Sequence, residues 1–150
     1  MLYNDIEAYF CSKEKTEDLL HEHEDLFLNI SGIEDKLRNA EITTMGEVEK
    51  YLDIITVLEN KCYAIYVVAD TFKTGAETRA KYSNIKKMVD AKTKVNVSQA
   101  TATASGEVQY LRRVRNLFQM YRDRALNVKT TLKAKYYNNG SYKSEDGETK

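Results

Sequence analysis

Two histidines and two cysteines are the first residues to test for metal or nucleophilic chemistry. His21 and His23 stand as HEH in an acidic stretch. Two positions on a helix are about 200° apart, so the imidazoles point to different faces, unlike the i, i+4 pairs that grip zinc. A solvated acidic helix accounts for them. Cys11 and Cys62 fall in different expected helices without CxxC spacing. They read as buried thiols rather than a disulfide. No Gly-rich phosphate loop, HExxH or G-x-S-x-G occurs. The carboxylates lie on amphipathic helix surfaces. The sequence therefore points away from an enzyme, and no cofactor or metal is expected.

The chemistry that does stand out is cationic and aromatic. Residues 77–137 hold 14 Lys and Arg against Glu77, Asp90, Glu107 and Asp123, a balance of +10. Tyr82, Tyr110, Tyr121, Tyr136 and Tyr137 are interleaved with them. Cations neutralise phosphates and aromatic rings stack on unpaired bases. Arg79, Lys81, Tyr82, Lys86, Lys87, Lys92 and Lys94 are the candidate nucleic-acid contacts, while Tyr110 and Tyr121 suit packing better. No helix-turn-helix, zinc-finger or RNP signature appears, so binding would be independent of base sequence. The competing explanation is a solvated surface complemented by acidic protein.

Acid to complement it is present. The chain has zero formal net charge, yet residues 1–60 carry 15 Asp and Glu with 5 Lys and Arg, a balance of −10. Residues 61–150 carry the opposite balance of +10. Such a dipolar chain suits either polyanion binding or attraction between halves of neighbouring subunits.

The elements that position these groups are helical. With 150 residues, no Pro and 6 Gly, one all-α domain over 1–137 is expected. It would comprise an acidic part over 1–40 and a long-helix core over 44–137. Residues 107–137 place Leu111, Val114, Phe118, Tyr121, Ala125, Val128 and Leu132 at alternating steps of three and four, an unbroken heptad seam. Residues 44–73 carry a matching seam at Tyr51, Ile55, Leu58, Cys62, Ile65, Ala69 and Phe72. Two such seams predict long antiparallel helices, packed as an α-hairpin, a helical bundle or a ring-forming homo-oligomer.

Earlier in the chain, 2–11 reads as a short helix with Leu2, Ile6, Tyr9 and Phe10 inward. Ser12 caps a helix over 13–30 with Leu19, Leu20, Leu26 and Phe27 inward. Ser31 and Glu34 have capping-box spacing for a third short helix to residue 39, and Thr44 and Glu47 repeat it. Lys73, Thr74 and Gly75 read as a helix stop. A separate helix follows over 77–94, with Tyr82, Ile85 and Val89 inward. The stretch VNVSQATATAS over 95–105 reads as an extended connector or short strand, with a small-residue helix start as the alternative. The tail 138–150 looks disordered by composition.

Three stretches resemble the UvsY-type recombination mediators of tailed phages. RALNVKTTLKAKYY (124–137) is similar to that family's closing helix, Arg-x-x-x-Ile-Lys-x-x-Ile followed by a basic and an aromatic residue. MVDA (88–91), with Val95 four residues later, resembles the acidic-alanine step before that helix. RAKY (79–82) resembles the family's basic–Ala–basic step, implicated there in binding single-stranded DNA. The family's Gly-bearing loop after that step is missing between Tyr82 and Met88. The resemblance implies a homo-oligomeric ring that loads a RecA-type recombinase onto strands held by a single-strand-binding protein, with Arg79 and Lys81 as strand contacts. The alternative function is a helical structural or assembly protein of a phage virion or scaffold. A third, minor reading is a small inhibitor or adaptor of a host protein. No stretch of 18 apolar residues suggests a membrane span, and the N-terminus does not read as a signal peptide. The expected location is the cytoplasm, that of the host if the chain is phage-encoded, or the virion under the alternative.

Overall fold

The computed structural model describes residues 3–148, with side chains over 5–138. Helix α1 (Tyr3–Glu7) leads through a 3-10 turn (Ala8–Cys11) into α2 (Lys13–Glu22) and α3 (Glu24–Arg38). Two long helices, α4 (Met45–Asp90) and α6 (Gln109–Glu148), are separated by α5 (Val97–Glu107). The architecture is all-α, 89% helical without strands among the described residues, and α4 packs on α6.

Local signals explain most starts. Ser12 Oγ accepts from Lys15 N at 3.2 Å and caps α2. Thr44 Oγ1 accepts from Glu47 N at 3.2 Å, while the Glu47 carboxylate reaches back to Thr43 N at 3.2 Å, a capping box shifted by one residue.

Four expectations are corrected. The helix expected over 13–30 is broken at His23, whose carbonyl accepts the first bond of α3 from Phe27 N. No third helix begins at Ser31, because Leu26, Phe27, Ile30 and Ile33 bury one continuous face and carry α3 past Gly32. The Lys73–Gly75 stop is overridden. Lys73 pairs with Glu77 at 3.6 Å across it, and α4 continues to Asp90. The extended segment expected at 95–105 shrinks to the residues before Val97. Asn96 Oδ1 accepts from Gln99 N at 3.0 Å and starts α5, whose Ala100 and Ala104 are buried one turn apart. Small residues of modest helix propensity suffice there because packing supplies the rest.

Both α3 and α4 end in Schellman turns without glycine. Ala40 (φ 54°) and Lys92 (φ 55°) hold the left-handed position. Ala40 N bonds Leu37 O and Glu41 N bonds Lys36 O; Lys92 N bonds Val89 O and Thr93 N bonds Met88 O.

The chain divides into two compact units, 1–22 with 64–118, and 23–63 with 119–150. In the first, Ile6, Phe10, Leu19 and Leu20 are buried with Ile65, Ala69, Leu111, Val114 and Phe118, and Phe10 stacks on Phe72 at 5.3 Å. The pairs Asp70–Arg115 and Glu77–Arg112 set α4 antiparallel to α6 there. In the second, Ile30, Val48, Ile55, Leu58 and Cys62 are buried with Ala125, Val128 and Leu132. The seam read on α6 is thus filled within the single chain. Tyr121, half-buried, is its one member outside the fully buried set and stacks on Phe27 at 4.3 Å. Leu2 and residues 149–150 lie outside the described residues, and α6 runs on to Glu148 through most of the polar tail.

Candidate nucleic-acid interface

Burying six of the seven seam positions of α6 brings its remaining side chains toward the helices beside it. Its arginines meet carboxylates there. In the first unit Arg113 Nη1 donates to Glu17 Oε1 at 2.8 Å, and Arg115 lies 3.5 Å from Asp70. Arg112 donates to Ser105 Oγ at 2.6 Å and sits 3.5 Å from Glu77, tying the end of α5 to α4. In the second unit Arg122 lies over the Tyr63 ring, 4.5 Å from its centroid, and donates to the buried Glu59 carboxylate at 3.4 Å. A buried carboxylate without such a partner would be costly.

Arg124 is the most heavily engaged. Its Nε donates to Glu34 Oε1 at 2.7 Å and its Nη2 to Ser31 Oγ at 3.1 Å, with the guanidinium over Tyr121. The hydrogen bond to Glu34 raises its pKa beyond the ordinary arginine value, against the opposing effect of burial. Ser31 and Glu34, whose spacing resembles a capping box, serve as the receptor of this arginine instead. The five arginines of α6 are therefore internal cross-links. Sequence reasoning missed their acceptors Glu17, Glu34, Glu59, Asp70 and Glu77, which lie far away in the chain.

Among the described residues the densest group of cations without an ion pair is the end of α4 and the turn after it, all in the first unit; Lys129, Lys133 and Lys135 of α6 have none either. Arg79, Lys86, Lys87, Lys92 and Lys94 are exposed, with no ion pair among the described residues. Arg79, Tyr82, Lys86 and Val89 follow one another at steps of three, four and three, one stripe of the helix. Tyr82 is 67% exposed and Val89 56%, correcting the expectation that both face inward. They lie on the side opposite Asn84, which is buried. Val95 and Val97 extend the exposed apolar surface past the helix end. The Arg79 guanidinium folds back over Gly75, where an added Cβ would come within 3.3 Å of it.

Lys81 departs from this set. It is half-buried and two residues from Arg79, hence about 200° around the helix, toward Asn84, Ile85 and Met88. The stripe unites Arg79, Tyr82 and Lys86 on α4 with Lys92 and Lys94 in the turn; Lys87 is exposed at its flank, about 100° from Lys86, and the half-buried Lys81 is left beside the core.

Comparison with protein-family models, curated proteins and solved structures returns no match. The reading of this surface rests on its own geometry. No group of three or more His, Cys, Asp or Glu converges to hold a metal among the described residues. No helix among them is long and apolar enough to cross a membrane. The thiols differ from expectation in one respect. Cys62 is buried, and burial with the nearby Glu59 charge pushes its pKa up to about 12, whereas Cys11 is exposed.

Proposed function

We propose that this protein binds single-stranded DNA without sequence specificity through the stripe Arg79–Tyr82–Lys86–Val89 with Lys87, Lys92 and Lys94. It would act without catalysis, as a recombination mediator that helps load a RecA-type recombinase on strands held by a single-strand-binding protein. The observation that carries the reading is selective neutralisation. Five α6 arginines have carboxylate partners within their own units, while the cations around Tyr82 have none. Unpaired cations flanking an exposed aromatic ring are what a flexible phosphate chain with unstacked bases requires. The resemblance of residues 79–82 to a strand-binding step points to the same place for Arg79, though not for Lys81. The alternative, an assembly protein whose basic and acidic halves pair between subunits, would have to do without the α6 arginines, which are engaged at home.

Fluorescence anisotropy of a labelled oligonucleotide tests the proposal. Lys86→Ala with Lys87→Ala should weaken binding and flatten its salt dependence. Absence of binding by the unaltered chain at ~50 mM salt would end it.

A further inference from the structure

The first unit carries a second strongly charged surface, opposite in sign to the stripe. On α2, Glu14, Asp18 and Glu22 recur every four residues and are exposed, and Asp5 and Glu7 of α1 are exposed as well. Three of them, Asp5, Asp18 and Glu22, gather around Tyr9. Tyr9 Oη donates to Glu22 Oε2 at 2.5 Å. That bond, together with the charges of Glu22, Asp18 and Asp5, holds the phenol proton more tightly than usual. Lys13 and Lys15 lie off this row, on other sides of α2.

Acidic row and cationic stripe match in size. Glu14 to Glu22 spans about 12 Å of helix and Arg79 to Val89 about 15 Å. No ion pair joins the two sets among the described residues, although α6 cations of the same unit find carboxylates. Each surface is therefore available to another molecule. A chain of zero net charge lacks the overall repulsion that would keep copies apart.

We propose that the cationic stripe also receives a second copy of this chain, docked through the acidic α1–α2 row. The contact is head-to-tail, since the two surfaces differ, and it propagates into a ring or an open chain. A nucleic-acid strand and the acidic row would then compete for the same lysines, so that strand loading loosens the assembly. The competition rests on the proposed function. The self-docking does not.

Sedimentation velocity with charge-reversed chains tests it. The acid-reversed variant is Glu14→Lys with Asp18→Lys, and the stripe-reversed variant is Lys86→Glu with Lys87→Glu. All four positions are exposed and free of ion pairs among the described residues. The unaltered chain should sediment above monomer mass at ~50 mM salt and as monomer near ~500 mM, where exposed charges are screened. Each variant alone should stay monomeric, with association weakened roughly tenfold or more. An equimolar mixture should associate again, because the intact stripe of one variant meets the intact row of the other and the two reversed surfaces are themselves complementary. That recovery also shows that both variants are folded. An unaltered chain that stays monomeric at low salt, or variants that assemble as it does, would overturn the inference. A labelled oligonucleotide should displace the self-contact from the unaltered chain. Self-association without any oligonucleotide binding would remove the proposed function and leave the docking intact.

Discussion

Arg124 and Glu34 offer the sharpest check on the division between structural and available cations. Glu34→Gln, Arg124→Met and the pair together form a double-mutant cycle. Glu34 receives Arg124 at 2.7 Å through Nε and also faces its Nη2, and the two side chains are 21% and 33% exposed. A charge-assisted hydrogen bond contributes roughly 1.5–3 kcal/mol when shielded, and an exposed pair roughly 0.2–1. Partial exposure places the expected coupling between these, at about 1–2 kcal/mol. Urea unfolding followed by circular dichroism would read it as midpoint shifts at constant slope. Arg124→Met should cost more than Glu34→Gln, since it also removes the contact with Ser31 and the face of Tyr121. Strand binding by Arg124→Met should match that of the unaltered chain. A coupling below ~0.3 kcal/mol would refute the cross-link. Strand affinity falling as far as in the Lys86 and Lys87 variant would refute the assignment of the binding surface.

Other outcomes follow from the same geometry. At pH 8 a thiol reagent should modify Cys11 readily and reach Cys62 only on unfolding. Because the folded Cys62 pKa lies near 12, above the ordinary value of 9.0, the unfolded thiol ionises first. Its contribution to stability is intact below about pH 9, declines as pH rises from there towards 12, and should vanish from the alkaline unfolding profile in Cys62→Ala. Ala40→Gly should stabilise the fold by up to about 1 kcal/mol, because glycine accepts the left-handed turn freely. Lys92→Gly should bring a similar gain in thermal unfolding while weakening strand binding, two effects of opposite sign from one change. Val128→Asp places a charge where Val128 is 4% exposed and should cost more than ~4 kcal/mol, read as loss of helicity or a collapse in Tm.

The seam of α6 was legible because burial and spacing coincide. Leu111, Val114, Phe118, Ala125, Val128 and Leu132 are buried at the steps their sequence shows. The matching seam of α4 was legible for the same reason. The length of α4 was not, since Lys73, Thr74 and Gly75 carry the local signals of an end. The Lys73–Glu77 pair spans the apparent stop, but the Glu77–Arg112 contact beyond it is not written in a window of five residues. Helix α5 was hidden by its Thr and Ala composition. At the candidate site, sequence shows the cations but not which are spent. Arg124 meets Glu34 across 90 residues and Arg113 meets Glu17 across 96. Only the packed chain separates these arginines from Arg79, Lys86 and Lys87. The inward assignment of Tyr82 and Val89 failed because two apolar residues two turns apart mark a stripe without saying which side is covered.

The most direct test of the central claim is the salt dependence of oligonucleotide affinity. If Arg79, Lys86, Lys87, Lys92 and Lys94 each neutralise one phosphate, the logarithmic slope should be about −3.5, a loss near 100-fold between ~50 and ~200 mM salt. Lys86→Ala with Lys87→Ala should reduce that slope by about 1.4. A slope near zero, or one unchanged by the two substitutions, would contradict a strand held by this stripe.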